Sequence, residues 1–241
     1  IPHALLFSGS RGTGKTTMAR IFAHAIGAKD IDIYEMDAAS NRGIDDIREL
    51  RDAVHTAPYE SPFKVYIIDE VHMLSKAAFN ALLKTLEEPP EHIVFILATT
   101  DVDKLPATIV SRTQRYGFRA IAESDAVKHL RHIADTEKIK IDDASLTIIA
   151  ERGDGSFRDS ISLLDQLASL ADTKEGITTE LVEATLGLAP HSVVNDLIAA
   201  VEAHEVTEIA TLLNKTIADG ISASTLTQQL TAKLRELIPE K

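Results

Sequence analysis

A glycine-rich segment near the start of the chain has the residue types and spacing that bind the phosphates of a nucleotide. Residues 9–16 match G-x-x-x-x-G-K-[ST] in full, between an apolar run that ends at Phe7 and a helical pattern that starts at Lys15. Glycines let backbone N–H groups surround phosphate oxygens, and the helix dipole adds to the attraction. We expect Lys15 to reach the β- and γ-phosphates and the Thr16 hydroxyl to bind Mg²⁺. The predicted nucleotide-binding residues of this segment are Gly9, Ser10, Arg11, Gly12, Thr13, Gly14, Lys15, Thr16 and Thr17.

Two adjacent carboxylates, Asp69 and Glu70, end a second apolar run at 65–68. The carboxyl ends of parallel strands meet at one edge of a sheet, so we expect this pair beside the glycine-rich segment. Asp69 is then placed to hold Mg²⁺ through water, and Glu70 to polarise an attacking water molecule. Acidic pairs after strands also occur as solvated turns, but the complete phosphate-binding motif favours the catalytic interpretation.

The elements that must position these residues alternate between two patterns. Runs rich in β-branched and aromatic residues predict strands at 4–7, 31–36, 65–68 and 93–98. Helical patterns lie between them, at 15–25, 44–57 and 75–87. Ser75 is the expected N-cap of the last helix, and Pro89 and Pro90 stop it. This order predicts an α/β fold with a parallel sheet and helices on both faces.

The chain changes character near residue 120, beyond which only helical periodicity remains. Helices are predicted at 123–137, 143–152, 156–170, 179–186, 192–203, 205–218 and 224–237. We therefore predict an α/β domain at 1–119, a small helical domain at 120–187 and a further helical domain at 188–241. The chain starts at Ile1 without an initiator Met, from which we expect a trimmed fragment.

Charge and composition exclude several classes of protein. Residues 1–119 have a net charge of −2 and residues 120–241 one of −10, which argues against a general nucleic-acid coat. A local DNA-facing patch at residues 41–43 and Lys76 is as consistent with the sequence as ordinary solvated charge. No apolar run approaches the roughly 18 to 20 residues of a membrane span, and no secretory signal is evident, so we expect a soluble cytoplasmic protein. The chain has no cysteine, and His129 and His132 lack a matched third ligand, so zinc is not expected.

Two longer segments resemble a known family. I-D-E-V-H-M-L-S at 68–75 and F-N-A-L-L-K-T-L-E-E-P-P-E-H at 79–92 closely resemble the gamma/tau subunits of bacterial DNA polymerase III. Shorter similar segments follow at 98–101, 105–106, 109–112 and 155–159, so that the resemblance covers essentially all of 1–186. These subunits are AAA+ proteins, the ATP-hydrolysing motors of the sliding-clamp loader. The resemblance implies a P-loop AAA+ domain whose N-terminal segment is missing, a helical lid at 120–187, and a partial helical collar at 188–241.

The resemblance also implies roles for three residues outside the glycine-rich segment. Thr100 matches the sensor that detects the γ-phosphate and orients water, with Thr99 as the alternative. Arg112 matches an arginine finger that enters the neighbouring subunit's ATP site, although Thr113 stands where the family usually has Cys. Arg158 matches the arginine with which the lid closes over ATP in the same chain. The predicted catalytic residues are Lys15, Glu70, Thr100, Arg112 and Arg158, and the predicted metal ligands are Thr16 and Asp69.

The implied cofactors are ATP and Mg²⁺, and the implied partners are those of replication. They are the other subunits of a pentameric clamp loader, the sliding clamp, primer-template DNA and the polymerase III core, with no membrane. The family commonly carries a four-cysteine zinc module before the second strand, where residues 27–30 stand here; either this lineage lacks the module or the sequence omits that stretch. A small clamp-loader subunit of archaeal or eukaryotic type is one alternative, disfavoured because it usually has Asn at the position of Thr100. A non-catalytic delta-prime-like scaffold is another, disfavoured by the intact Lys15, Thr16, Asp69 and Glu70.

Overall fold

The computed structural model describes residues 1–41, 43–172 and 175–237. Arg42, part of the predicted DNA-facing patch, lies outside the described residues. The chain forms two compact units. The first comprises 1–122 together with 154–159, and the second comprises 123–153 together with 160–241. The two domain boundaries expected from the sequence, at 119/120 and at 187/188, stay predictions.

The first unit is built on one parallel five-stranded sheet with the strand order β2-β3-β4-β1-β5. Its strands are β1 (Ala4–Gly9), β2 (Ile33–Asp37), β3 (Lys64–Asp69), β4 (Ile93–Thr99) and β5 (Gln114–Phe118). Its helices are α1 (Lys15–Ala25), α2 (Ile44–Val54), α3 (Lys76–Glu87) and α4 (Ala107–Val110), with short 3-10 segments at Asp30–Asp32, Val71–Met73 and Val102–Lys104.

Both faces of the sheet are covered, because alternate residues of each strand point to opposite sides. Leu6 and Phe95 pack on one face in a core that includes residues of α2 and α3. Leu5 and Ile67 pack on the other face, where Ala19 of α1 completes a second core. Strands buried on both sides read as continuous apolar runs, which is why the sequence reveals β1, β3 and β4. The predicted α/β class with helices on both faces is confirmed.

The edges of this sheet differ from the prediction in two places. The prediction omitted β5 (Gln114–Phe118), because this edge strand is largely exposed and contains no apolar run. β2 begins at Ile33 instead of residue 31, after a 3-10 segment. The Ser75 hydroxyl accepts a hydrogen bond from the Ala78 N–H at 3.2 Å, which confirms the predicted N-cap of α3.

The second unit is helical. Its helices are α5 (Glu123–Glu137), α6 (Asp143–Arg152), α7 (Phe157–Leu170, from residue 160), α8 (Thr179–Leu186), α9 (His191–Glu202), α10 (Val206–Ala218) and α11 (Ala223–Leu237). All seven agree with the predicted ranges within one residue. The Asp142 carboxylate caps α6 by accepting from the Ser145 N–H at 2.7 Å, and left-handed Gly187 ends α8.

Within the described residues, no single helix has the length and apolar character of a membrane span. Only α8 and α9 taken together, with a bend of 78° between them, reach that length and composition.

Candidate functional site

The carboxyl edge of the sheet brings the predicted phosphate-binding loop and the predicted carboxylate pair together. β1 lies beside β4, and β4 lies beside β3, so the segments that follow these strands are neighbours. β1 ends at Gly9, where the glycine-rich loop begins, and β3 ends at Asp69. The loop and the carboxylate pair therefore meet at one edge, as parallel topology requires.

The loop has a backbone that only glycine accommodates at its tightest point. Gly12 has φ +72°, and a Cβ there would lie 1.9 Å from the Ser156 hydroxyl oxygen. Gly14, at φ +89°, immediately precedes α1, and a Cβ on it would meet nothing within 4 Å. No side chain caps the N-terminus of α1. The first N–H groups of this helix thus have no side-chain cap to accept from them, which suits a helix N-terminus that binds phosphate.

Lys15 is buried at this helix terminus, with only 6% of its surface exposed. Its Nζ donates hydrogen bonds to the backbone oxygens of Gly9 at 2.9 Å and Ser10 at 2.8 Å. Burial lowers the pKa of Lys15, and the nearby carboxylates of Glu70 and Asp69 oppose that shift. A desolvated ammonium held by carbonyl oxygens is stabilised further by an anion, so this position fits a phosphate group.

Thr16 and Asp69 form a pair of oxygen ligands next to Lys15. The Thr16 hydroxyl donates to Oδ2 of Asp69 at 2.6 Å, while Oδ1 of Asp69 accepts from the Glu70 N–H at 2.9 Å. Hydroxyl and carboxylate oxygens are the donors that Mg²⁺ takes in nucleotide sites, where phosphates and water complete the octahedron. The residues present therefore fit Mg²⁺ bound together with a nucleotide. Within the described ranges, no group of three or more His, Asp and Glu side chains could hold a metal ion by itself.

Glu70 lies at the turn after β3, and Thr100 contacts its carboxylate. The Thr100 hydroxyl donates to Oε2 of Glu70 at 3.2 Å. Thr99 is fully buried and instead bonds the backbone of Asp101, with its hydroxyl oxygen 3.0 Å from the Asp101 nitrogen. Of the two threonines weighed as the sensor, Thr100 is thus the one beside the candidate base, and its role stays a prediction.

Arg158 lies next to the glycine-rich loop. The Phe157 N–H donates to the backbone oxygen of Gly12 at 3.0 Å, and a Cβ built on Gly12 would lie 3.2 Å from Cβ of Arg158. The charge of Arg158 also contributes to lowering the pKa of Lys15, after the larger effect of burial. Residues 154–159 belong to the first unit, so Arg158 and the loop are described within one compact body.

Arg112 lies at the opposite end of the sheet. It precedes β5, and the first residue of β5, Gln114, pairs with Leu5 near the start of β1. The loop begins at Gly9, the last residue of β1, and four strand steps of about 3.3 Å put roughly 13 Å between these levels. The Arg112 guanidinium donates to Oε1 of Glu87 at 2.7 Å and to the backbone oxygen of Thr108 at 2.8 Å. The structure therefore does not bring Arg112 to the phosphate-binding loop of its own chain.

The remaining predicted residues occupy ordinary positions. Thr13 is buried and its hydroxyl donates to the backbone oxygen of Ser10 at 2.9 Å. Arg11 and Thr17 are exposed beside the open end of α1. Asn41 donates from its side-chain amide to the backbone oxygen of Asp37 at 3.0 Å, a contact within the turn that follows β2.

Named proteins resemble this chain over nearly its whole length. The tau subunit of DNA polymerase III from Bacillus subtilis is 41% identical over 98% of this chain, and the tau subunit from Escherichia coli is 38% identical over 98%. The gamma subunit from Buchnera aphidicola is 40% identical over 92%. This chain belongs to the family of DNA polymerase III tau and gamma subunits. It spans 45% of the B. subtilis protein, 40% of the E. coli protein and 66% of the B. aphidicola protein.

Two family descriptions match parts of this tau/gamma-type chain. Residues 27–122 match "DNA polymerase III, delta subunit", and residues 125–172 match "DNA polymerase III clamp loader subunit, ATPase lid domain". Among solved structures, the Holliday junction branch migration motor RuvB of Thermotoga maritima has a TM-score of 0.62 at 20% identity. That alignment covers 94% of this chain and 80% of RuvB. The likeness supports the AAA+ fold, and the resemblance inferred from 68–75 and 79–92 is confirmed.

Two residues that contact predicted functional residues could not be predicted from the sequence, although both lie in the segments that carry the resemblance. His72 places its Nδ1 3.4 Å from Oε2 of Glu70. Glu87 pairs with Arg112 across 25 positions of sequence. Their presence in family-like segments was visible, but the sequence contains no signal for which distant side chain each one contacts.

Proposed function

We propose that this chain is the ATP-hydrolysing motor subunit of the DNA polymerase III clamp loader. The observation that carries the proposal is the cluster at the carboxyl edge of the sheet: buried Lys15, the 2.6 Å pair of Thr16 and Asp69, and Glu70 held by Thr100. Membership of the tau/gamma family supplies the assembly in which such a motor acts.

The residues divide the chemistry among them. Mg-ATP supplies, when bound, the reactive γ-phosphoryl group and a divalent charge. Lys15 binds the β- and γ-phosphates, and Thr16 and Asp69 hold the Mg²⁺. Glu70 polarises water for attack, and Thr100 orients the Glu70 carboxylate through the hydrogen bond to Oε2. Backbone N–H groups at the start of α1 orient the phosphates.

Two arginines stabilise the negative charge that develops during phosphoryl transfer. Arg158, beside Gly12, acts in the same chain. Arg112 acts on the neighbouring subunit, because it lies at the amino edge of the sheet, away from its own loop. A site completed by a neighbour couples hydrolysis to assembly, as expected for a pentameric loader.

The energy of ATP is used for conformational change. In this proposal, ATP binding lets the loader grip the sliding clamp, and hydrolysis releases the clamp on primer-template DNA for the polymerase III core. The helical lid at 120–187 closes the site, and the collar at 188–241 assembles the loader in the cytoplasm.

A non-catalytic scaffold is the second candidate, because residues 27–122 match the delta-subunit description. That match begins after the glycine-rich loop and so does not include Lys15 or Thr16. The contact between Thr16 and Asp69 and the burial of Lys15 favour the motor, since a scaffold has no use for either.

The full-length protein with Glu70→Gln, assembled into a clamp loader, tests the motor. We expect Mg-ATP to bind within about twofold of the wild-type dissociation constant, because the phosphate ligands remain, while the steady-state hydrolysis rate falls at least about 100-fold. Asp103→Asn is a control carboxylate change in the 3-10 segment Val102–Lys104 and should leave both values unchanged. Hydrolysis at the wild-type rate by the Glu70→Gln loader would show that Glu70 is not the base.

A further inference from the structure

A buried histidine lies between the candidate base and the strand that ends at Thr99. His72, in the 3-10 segment Val71–Met73, has a side chain that is 9% exposed. Its Nδ1 lies 2.9 Å from the Thr99 hydroxyl oxygen and 3.4 Å from Oε2 of Glu70. The mechanism above does not use this imidazole.

The contacts of Thr99 assign the imidazole proton to Nδ1. The Thr99 hydroxyl donates its single proton to the backbone oxygen of Asp101 at 3.2 Å and accepts from the Asp101 N–H at 3.0 Å. With its proton on the Asp101 oxygen, the hydroxyl is an acceptor toward His72, and this arrangement favours the tautomer with a hydrogen on Nδ1. An ionised Glu70 carboxylate only accepts hydrogen bonds, so it favours the same tautomer. His72 thus donates its Nδ1–H to Thr99 and presents the same N–H beside Oε2 of Glu70.

A hydrogen bond from Thr100 and a longer electrostatic contact with His72 meet at one oxygen of the Glu70 carboxylate. Thr100 and His72 both approach Oε2, and neither contact uses Oε1. The Glu70 backbone has φ +48°, a left-handed conformation that costs a non-glycine residue free energy and persists where the surroundings hold it. With Oε2 bonded to Thr100 and attracted by the N–H of His72, rotation of the carboxylate is restricted and the orientation of Oε1 is set.

We propose that His72 is a positioning residue whose Nδ1–H, bonded to the Thr99 hydroxyl and 3.4 Å from Oε2 of Glu70, attracts that oxygen electrostatically, so that Oε1 accepts the hydrogen bond of the attacking water. This inference rests on the proposed function, in which Glu70 polarises that water. Thr99, itself fixed by the backbone of Asp101, orients the imidazole. His72 acts on hydrolysis through Glu70 and needs no contact of its own with the nucleotide.

Three substitutions in the full-length assembled protein test the position of the donor. Asn carries an amide N–H close to the place of Nδ1, Gln carries its amide one carbon further out, and Leu carries no donor. We expect His72→Leu and His72→Gln to lower the single-turnover hydrolysis rate about 10- to 100-fold, and His72→Asn to stay within about threefold of wild type. The dissociation constant of a fluorescent ATP analogue should stay within about twofold in all three, because the phosphate ligands are untouched.

A second measurement determines which ring nitrogen of His72 carries the hydrogen, and it needs no activity assay. In the full-length protein labelled with ¹⁵N-histidine, the His72 resonance, assigned by its loss in His72→Asn, should show a protonated Nδ1 and a bare Nε2. An unprotonated Nδ1 would overturn the proposal.

The outcomes separate this inference from the proposed function. His72→Gln as active as His72→Asn, or His72→Leu as active as wild type, overturns the positioning role while Glu70→Gln still stops turnover. A loss of ATP affinity that matches the loss of rate in all three variants also overturns it, because His72 then only supports the fold of the site. If His72→Leu does not fold, the comparison of Asn with Gln decides. Wild-type turnover by Glu70→Gln refutes the proposed function itself.

Discussion

Two lysines are buried in the same α/β unit, one at each end of the sheet, and their surroundings differ. Lys15 follows the carboxyl end of β1 and is 6% exposed, while Lys64 starts β3 and is 2% exposed. Burial lowers the pKa of both. The chemical class and the burial of the two residues are therefore alike, and only their neighbours distinguish them.

Lys64 is enclosed by groups that hold it as part of the fold. Its Nζ donates to the backbone oxygen of Ala53 at 2.9 Å, near the end of α2, and to the Thr56 hydroxyl at 2.8 Å. The rings of Tyr34 and Tyr66 lie 4.9 and 5.7 Å from the same nitrogen. Lysine at a helix C-terminus also complements the helix dipole.

Lys15 is held by its own loop, beside open space and two carboxylates. Its acceptors are the backbone oxygens of Gly9 and Ser10, and a Cβ built on the adjacent Gly14 would meet nothing within 4 Å. The difference teaches that burial of a cation does not by itself indicate a ligand site. What indicates one is a buried cation next to an uncapped helix N-terminus and a metal-ligand pair.

Removing the charge of Lys15 is expected to produce the largest effect of this comparison. Lys15→Met should weaken Mg-ATP binding at least about 100-fold, or about 2.7 kcal/mol, because the β- and γ-phosphates lose a desolvated point charge. The free energy of unfolding without nucleotide should change by less than about 1 kcal/mol, since only the two hydrogen bonds from Lys15 to the loop backbone are lost. Isothermal titration and urea unfolding measure the two quantities. Unchanged ATP affinity would contradict the assignment of this edge as the nucleotide site.

The matched substitution Lys64→Met should show the reverse pattern. It removes the hydrogen bonds of a buried ammonium to the Ala53 oxygen and the Thr56 hydroxyl, together with its contacts to the rings of Tyr34 and Tyr66, so we expect the free energy of unfolding to fall by about 2 kcal/mol. ATP affinity should stay within about twofold, because Lys64 lies at the other end of the strands. Lys29→Met, which removes an exposed ion pair with Glu60, is the control and should leave the unfolding midpoint in place. A large loss of ATP affinity in Lys64→Met would contradict the assignment of nucleotide binding to the carboxyl end of the sheet alone.

Tyr66 gives the smallest expected effect. Its buried hydroxyl has no hydrogen-bond partner among the described residues, while its ring stacks on Tyr34 and Phe95 at 5.2 and 5.6 Å. Tyr66→Phe should raise the free energy of unfolding by about 1 kcal/mol at neutral pH, because an unpaired polar group leaves the core. Tyr59→Phe, at an exposed ring, is the control.

The same substitution also has a predicted pH signature. Burial raises the pKa of Tyr66 to about 12, from an ordinary value near 10. As the pH rises from about 10 to about 12, the unfolded chain releases this proton first, so stability falls in the wild type. Tyr66→Phe should lose that part of the slope. A variant with the wild-type slope, or with lower stability at neutral pH, would show that the hydroxyl has a partner.

The sequence was informative where a local pattern determines the structure. Residues 9–16 and the strands buried on both faces could be predicted, because a motif and continuous apolar runs depend on neighbours in the chain. β5 could not, since its exposed polar residues carry no apolar run, although Tyr116 and Phe118 alternate and both pack on Phe7. The strand order and the contact of His72 with Glu70 depend on distant segments, which a single sequence does not relate.

Arg112 is an exception to the contrast between the two ends of the sheet, because it lies at the amino edge yet is proposed to act in catalysis. Its distance from its own loop follows from strand register, and its role on a neighbour follows from that distance. Its pairing with Glu87 holds the guanidinium in one orientation in the isolated chain.

The most direct test of the account is complementation between two inactive full-length chains, one with Lys15→Met and one with Arg112→Ala. Each alone should assemble but be inactive: Arg112→Ala should lose about 10³- to 10⁵-fold in ATP turnover, the range expected for an arginine finger, and Lys15→Met should fail because it binds Mg-ATP weakly. In mixed assemblies, an Arg112→Ala subunit that binds ATP next to a Lys15→Met subunit that supplies Arg112 forms an intact site, so we expect hydrolysis to return. A mixture as inactive as either parent, with assembly verified by size-exclusion chromatography, would contradict a finger that acts on the neighbouring subunit.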